Sequence, residues 1–599
     1  MTTDEPTTID ETPTTVTSAP TTPVEPPAAR GASRNRWIAA IAVSAVVIAA
    51  AIGATLLLTG EAPDADVLAW TPAESVMYAE ARLDLPGDQR QQLGTFLSAF
   101  PGFDDQAILD QKLAEVMDRV VRGATEGAWD YQNDIDPWFD GQVSVSVGPL
   151  PTDPDDARTG RLLVLVGVDD AAAARAWVDE VLASEGAPRS TTTHGSVEVT
   201  VIETGSERAP DAAYATFGPV LALGDLASVT ASIDTGGNGG LASADTFTAA
   251  SRSLPGDRLA YYWMDLAAVT SWSTAMQGQL GPDVPAPMPP LPAFFDDMTP
   301  AWVAGALRAE GDALVFEARS PHVAAIAGDP ANRASTLAAL VPANTLLLAA
   351  SHDVSGNVDR LLTLLRSDPN IASSVTEVEN ALGILGGVDG LAGWIGDLGI
   401  VVVPEGSGVA GGVVIDPTDR AAAERLLTTL RSFVTLAGGS AGISIRDETH
   451  GSAAITILTI EDASQLLELA RAMGSTDVPS AATPPITVEL AWSVTDDVVV
   501  LGSSPSFVRT VLDVPGAESL AENDRFEALV GRAGREHSGL FWVDVAAARG
   551  LAEGILPAED RADYDREIRP YVEALDAALG THVMGSDVDA SSIYVTVSE

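Results

Sequence analysis

The order of its sequence blocks constrains this chain more than any single motif, because beyond residue 66 the same series is run through twice. Thr71–Pro72–Ala73–Glu74 leads into an apolar stretch, and so does Val341–Pro342–Ala343–Asn344. Trp138 precedes QVSVSVGP as Trp394 precedes LGIVVVP. THGSVEVTVIE from Thr193 matches THGSAAITILTIE from Thr449, and FGPVLALGD, ending at Asp225, matches VTDDVVVLGS, ending at Ser503. LASADTFTAASRSLPGDRLAYYWMDLAAV matches LAENDRFEALVGRAGREHSGLFWVDVAAA. The separations run from about 256 to 279 residues and the order never changes. That is one duplication of a unit of roughly 250 residues, not a solenoid of short repeats. The expected copies are residues 67–320 and 336–599, joined by SPHVAAIAGDPANRAS from Ser320.

Within each copy the apolar period switches between two and 3.6. VMYAEARL, QVSVSV, RLLVLVGV, VEVTVIE and VLALGD read as strands. AAAARAWVDEVLASEG and DRAAAERLLTTLRSF read as helices, with Asp169–Asp170 and Asp416 placed to cap their free N–H groups. Each copy closes on a hairpin pattern, with Glu310–Gly311–Asp312 as the turn of the first. LPAEDRADYDREIRPYVEALD reads as one helix, in the place where the first copy has the proline-rich GPDVPAPMPPLP. The fold class expected is α+β, with mainly antiparallel sheets and packed helices in both copies.

Ahead of the copies, WIAAIAVSAVVIAAAIGATLLL at residues 37–58 carries no charge. As a helix it reaches roughly 33 Å, enough for a hydrocarbon core of about 30 Å. Arg30, Arg34 and Arg36 precede it, while Glu61, Asp64 and Asp66 follow. The charge asymmetry predicts a single-pass transmembrane signal anchor in a lipid bilayer, with a cytoplasmic N-terminus and an extracytoplasmic bulk. A cleaved signal peptide would have a shorter apolar region and leader. Residues 1–36 are rich in Thr, Pro and acid and are expected to be a disordered cytoplasmic tail.

With 84 acidic and 33 basic residues the formal net charge is −51. Phosphate contacts need clustered Lys and Arg, so no nucleic-acid partner is expected. The acid excess reads as a solvated surface suited to high salt, in preference to diffuse binding of divalent cations. Cysteine is absent, which removes disulfides, thiol nucleophiles and thiolate metal sites.

TPAESVMYAEARLD, GDQRQQLGTFLSAFPGF and DPWFDGQVSVSV, between Leu68 and Leu150, resemble a family widespread in actinobacteria: single-span membrane proteins with the uncharacterised domain of unknown function 3352. The second copy has no counterpart of FPGF. The resemblance implies no activity, cofactor or catalytic residue.

No reactive constellation stands out. Of six histidines only His194 and His450 are repeat-equivalent, and a turn residue at a strand start accounts for both. The histidines are too scattered for a zinc site and HExxH does not occur. Asn133, Asp134, Asp136, Asp140 and Gly141 supply hard oxygen ligands but lack the EF-hand alternation, and Asp153, Asp155 and Asp156 form another acidic turn; both read as solvated loops. Gly502–Ser503–Ser504–Pro505–Ser506 is a turn rather than a nucleophile elbow, and GGNGG from Gly236 is a linker. Strand alternation puts Tyr261 and Trp263 on one face and Tyr262 on the other, opposite Phe541 and Trp542 of the second copy; core packing is favoured over a ligand groove. Trp138 and Trp394 are expected to anchor the two cores.

No catalytic, cofactor-binding or metal residue is therefore assigned, and no cofactor is expected. The function expected is a membrane-anchored envelope interaction, scaffold or ligand-binding module without enzymatic activity. Its partner would be an envelope protein or a lipid-like ligand in an apolar groove between the copies. The alternative is an envelope hydrolase acting on glycan or peptide through clustered acidic residues with raised pKa values. A sensor is a third reading, weakened by the lack of a folded output domain in the tail.

Overall fold

Among the described residues twenty strands hydrogen-bond into one sheet, every neighbouring pair antiparallel. The computed structural model describes residues 66–103, 109–150, 161–186, 188–203, 211–280, 299–324, 328, 331–368, 371–438, 442–461 and 487–598. The first ten strands are β1 (Met77–Arg82), β2 (Phe139–Val147), β3 (Leu162–Val168), β4 (Arg189–His194), β5 (Val197–Ile202), β6 (Ala212–Phe217), β7 (Val220–Asp225), β8 (Ala260–Asp265), β9 (Trp302–Glu310) and β10 (Ala313–Pro321). The second ten are β11 (Leu347–Ser351), β12 (Ile395–Glu405), β13 (Gly408–Pro417), β14 (Ile443–His450), β15 (Ala453–Ile460), β16 (Val488–Val494), β17 (Val499–Gly502), β18 (Gly539–Asp544), β19 (Leu575–Val583) and β20 (Val588–Val597).

Followed from edge to edge, the first half runs β4-β5-β6-β7-β3-β2-β1-β8-β9-β10. It continues β20-β19-β18-β11-β12-β13-β17-β16-β15-β14. Each strand of the first half meets its counterpart at the mirror position of the second. Arg319 and Tyr594 are counterparts, since each lies opposite the residue that pairs with Trp263 or Trp542. In the central pair Ala313 faces Thr596, Pro321 faces Val588 and Glu317 faces Ser592. Exchanging the halves leaves that register unchanged, so a local two-fold axis passes between Glu317 and Ser592.

Sixteen α-helices lie among the described residues. In the first half they are α1 (Gln89–Leu97), α2 (Leu109–Ala124), α3 (Tyr131–Asp134), α4 (Ala171–Glu185), α5 (Leu226–Thr235), α6 (Asp245–Arg252) and α7 (Leu266–Leu280). In the second they are α8 (Val354–Ser367), α9 (Ala372–Ala381), α10 (Gly387–Ala392), α11 (Arg420–Gly438), α12 (Pro505–Leu512), α13 (Asp524–Ala533), α14 (Val545–Ile555), α15 (Arg561–Glu567) and α16 (Arg569–Val572). Asp170 caps α4, accepting from the N–H groups of Ala172 and Ala173. At α11 the cap is Asp419, which accepts from Ala422 N–H at 3.0 Å. Asp416 does not serve, because it is still paired in β13 and accepts from the Thr336 hydroxyl. The segment read as one long helix breaks into α15 and α16, which leave Leu575 to start β19.

The two stretches of chain share their cores at the seam. Ala313 and Val315 of β10 pack with Leu579 and Tyr594 of the second half. Ala574 and Val597 pack with Leu307 and Leu314 of the first. Arg532 reaches across to Asp312 at 2.7 Å and to the Glu310 carbonyl at 2.7 Å. Trp138 and Trp394, each 4 % exposed, sit at equivalent places in the two outer cores, under α4 and α11.

One expectation is corrected. No helix among the described residues is long and apolar enough to cross a membrane, and residues 1–65, which include the tail and the run 37–58, lie outside the described residues. The transmembrane helix, the single-pass topology and the membrane localisation drawn from the apolar run therefore have no counterpart in the fold, which consists of the antiparallel sheet and its helices.

Because the seam is a fully paired strand couple with a shared core, the two halves should unfold in one calorimetric transition. Val315 is fully buried there. Val315→Asp leaves an unpaired carboxylate in that core, a loss of about 3 kcal/mol or more, and is expected to split the transition in two.

Candidate functional site

Directly opposed residues of antiparallel strands point to the same face. In the ten central strands, β2 to β12 in spatial order, one face is covered by α6 and α13 and holds Tyr78, Tyr261 and Trp263 in one half, Leu579, Tyr594 and Trp542 in the other. The opposite face carries Tyr262. A row across it passes through Leu307, Phe316, Ile593, Gly580, Phe541 and Ile400. Among the described cross-strand pairs on this face, Asp589 is the one charged residue; it lies at the margin, 2.9 Å from His322 Nδ1.

An antiparallel sheet with one wet face normally alternates apolar-in and polar-out. Here the uncovered face is apolar: Ile400 is 52 % exposed, Tyr262 46 %, Phe316 43 %, and Ile593 and Met77 36 % each. In the first half α1 shields part of it, burying Leu307 and Leu314 beneath Leu93 and Phe96. The helix that follows β11, α8, packs against β12 instead and has no buried residue, so among the described residues the second half stays open. Two glycines shape the floor. A Cβ on Gly305 would meet the Tyr262 ring at 2.2 Å, and one on its counterpart Gly580 would meet the Phe541 ring at 2.0 Å. Both rings thus lie across the backbone of the neighbouring strand, a flat aromatic surface on each side of the axis.

Beneath the sheet ends, each half buries a polar cluster at the same place. In the first, Glu80 accepts from Tyr78 Oη at 2.6 Å and pairs with Arg258, whose guanidinium lies 3.9 Å from the Tyr261 ring centroid. Burial and the Glu80 charge push the Tyr78 phenol well up. In the second half His352 takes the place of Arg82 and His537 that of Arg258, as the parallel bonds Arg82 N–H to Leu259 and His352 N–H to Ser538 show. His352 Nδ1 is 2.7 Å from Asp397, which also accepts from Arg333, and the His352 and His537 rings stack with centroids 5.3 Å apart. Burial works to raise the Asp397 carboxyl, but hydrogen bonds from His352 and Arg333 outweigh it and hold it low. Burial, with the neighbouring His352, depresses His537 to about 4. Asp–His pairing is the orienting half of a nucleophilic triad. Among the described residues the other half has no counterpart: His352 Nε2 and His537 Nδ1 have no hydrogen-bond partner there, and the side chains of His352 and Asp397 are 2 % and 3 % exposed. No substrate can reach them.

The other residues singled out by sequence fall as follows. His194 and His450 close equivalent hairpins and bond Asp234 and Asp513 at 2.7 Å each, fastening the hairpin to the ends of α5 and α12. Asn133 bonds Asp130 at the start of α3, and Asp134 accepts from Asp130 N–H. Asp136 is exposed; Asp153, Asp155 and Asp156 lie outside the described residues. Among the described residues no group of three His, Cys, Asp or Glu is arranged to hold a metal. Gly236 ends α5 in the left-handed conformation, and Ser504 caps α12. Asp140 is pushed up to about 7 by burial and by the charges of Asp84, Asp169 and Asp66, against a stabilising N–H from Gln142. The aromatic face itself escaped the sequence reading, since Tyr262 is flanked by two residues that do belong to the core.

These shifts have opposite consequences for stability. A His537 pKa of about 4 against 6.5 unfolded means the unfolded chain binds the extra proton; stability is lost as pH falls from 6.5 toward 4, by up to about 3 kcal/mol. Asp140, at about 7 against 3.8, is protonated first in the folded chain; its contribution is present below pH 4 and lost as pH rises through 7. Urea midpoints across pH 4–8 should show His537→Gln flattening the acid limb and Asp140→Asn raising stability at pH 8, by about 2 kcal/mol after solvent screening.

No curated protein matches this chain. Two solved crystal forms of TP0453 show a likeness. Form I is 9 % identical over 44 % of this chain and 79 % of that one, and form III 10 % over 42 % and 78 %, both at a TM-score of 0.20, too low to carry a fold argument. The family described as a protein of unknown function, DUF3352, matches residues 38–578; the match shows neither an actinobacterial source nor a membrane span. Since it takes in both halves of the sheet, the chain belongs to the DUF3352 family.

Proposed function

We propose that the chain is a non-enzymatic binding module whose uncharged sheet face takes up a lipid-like ligand. The observation that carries this is the half-exposed band from Tyr262 through Phe316 and Ile593 to Ile400, on a face free of charge save its margin. An exposed apolar patch that spans strands from both halves marks an interaction site, whereas scattered apolar residues do not. The flat rings over Gly305 and Gly580 offer a surface to a slender acyl chain without deep pockets. With a net charge of −51 the molecule repels anionic headgroups, which favours a neutral or zwitterionic amphiphile. The same field argues against nucleic acid as a partner.

A second reading, a hydrolase acting on glycan or peptide, draws on Asp140, whose carboxyl near 7 lies where a general acid works. Its neighbour Asp84 is clamped by Arg82 at 2.5 Å and by Gln142 at 3.2 Å, so that carboxylate is already engaged. The binding reading accounts for more of the molecule.

N-phenyl-1-naphthylamine, an uncharged probe of apolar sites, should brighten on addition to the folded protein and be displaced by lysophosphatidylcholine. The double variant Phe316→Asp, Ile593→Asp is expected to weaken uptake at least tenfold with an unchanged melting temperature, because both positions are already half in solvent. Uptake that is absent, or indifferent to the two aspartates, would remove the proposal.

A further inference from the structure

The two halves differ at one gap between the outer hairpin and the helix beside it. In the second half that gap is plugged: Arg509 of α12 donates two hydrogen bonds, at 2.7 and 2.9 Å, to Glu448 of β14. His450 and Asp513 form its end wall. In the first half the end wall is the same, His194 on Asp234 at 2.7 Å. Counting from those walls, Thr192 stands where the second half has Glu448, and Thr230 where it has Arg509. Two long, mutually neutralising side chains are replaced by two short hydroxyls. What remains is an open cleft of about 510 Å³, lined by both threonines together with Arg161, His194, Asp211 and Leu226 among others.

The lining narrows the ligand. Arg161 lies 3.5 Å from Asp225, so its charge is already answered. Asp225, 6 % exposed, is itself filled by the N–H groups of Leu162 and Ser228 and by the Ser228 hydroxyl. An anion would meet Asp211 and Asp225; a cation would meet Arg161. Thr230 donates its hydroxyl back to the helix carbonyls of Leu226 and Ala227, leaving its oxygen lone pairs as acceptors. Arg161 keeps N–H donors, and the Thr192 and Thr193 hydroxyls serve as either. A volume of this order suits a small ligand of one or two rings. We infer that the first half holds a binding site for a small, neutral, hydroxyl-rich ligand of the sugar or polyol class, at the place where the second half carries the Glu448–Arg509 plug.

This site is independent of the apolar face. The test is saturation-transfer NMR on the full chain with methyl α-glucoside and myo-inositol as probes, and with inorganic phosphate and putrescine as charged controls. A transfer signal from at least one neutral probe is expected, and none from the controls. The double variant Thr192→Glu, Thr230→Arg imports the plug that the second half already accommodates, so it should fold, melt no lower than the parent and lose the signal at least tenfold. Its naphthylamine uptake should be unchanged, which separates this site from the apolar face. No signal from either neutral probe, a stronger signal from phosphate or putrescine, or equal signals from the parent and the plugged variant would each overturn the assignment.

Discussion

The pairing of β10 with β20 is the constraint from which the rest of the molecule follows. Each is the last strand of its half and would otherwise be an open edge, with a row of unpaired N–H and C=O groups. Pairing them antiparallel about Glu317 and Ser592 removes both edges at once and makes one sheet of two. It also fixes which faces are continuous. A slip of one residue would turn every side chain of one half to the other side relative to its partner, so that Phe316 and Ile593 would no longer share a face, nor Val315 and Tyr594. The apolar band exists because the register puts the bare faces of both halves on the same side. Its outermost edges are then β4 and β14, at opposite ends of the sheet.

How far this was legible in the sequence depends on what each strand's surroundings demand. β1, β2, β3, β5 and β7 alternate or run apolar, and show in the pattern. β4, RSTTTH, has no apolar alternation because it is an edge with nearly every side chain in solvent. β6, AAYATF, is apolar almost throughout because helices cover both its faces. A stretch such as Ala260–Asp265 hides its open face for a different reason. Tyr261 and Trp263 are 2 % exposed and Tyr262 is 46 % exposed, yet all three are large aromatics. Composition cannot tell a covered face from a bare one when both are apolar; only the position of α1 and α8 decides. The pairing of His352 with His537 was equally hidden, since a residue just past β11 and one just before β18 meet only because those strands are neighbours. The apolar run at residues 37–58 shows the reverse limit. Its length and flanks make a strong pattern, but no helix in the described fold answers to it.

Duplication also explains why the polar clusters differ so much in chemistry while sharing a frame. A backbone repeated with the same bonds, such as Arg82 N–H to Leu259 and His352 N–H to Ser538, presents the same buried volume twice. A buried polar group is costly unless it is fully partnered. The first half meets that demand with charge, through Glu80, Arg258 and Tyr78. The second meets it with two stacked imidazoles, one of them held by Asp397, and leaves two ring nitrogens without a partner among the described residues. Stability therefore varies with pH chiefly in the second half at acid pH and in the first at the Asp140 carboxyl.

The same frame makes each half a control for the other. Where the halves agree, as in the His–Asp fastenings of the outer hairpins, the shared feature serves the fold, because a demand repeated by the backbone is answered twice. Where they disagree, the fold is shown to be satisfied by either solution, and the difference is free to serve something else. α1 shields part of its half of the sheet, over Leu307 and Leu314, while α8 packs against β12 instead. Glu448 and Arg509 fill a gap that Thr192 and Thr230 leave empty. Neither the open face nor the empty gap is required by folding, since the opposite arrangement stands in the same molecule. The open cleft beside Thr192 and Thr230 forgoes the ion pair that Glu448 and Arg509 form at the same place in the other half.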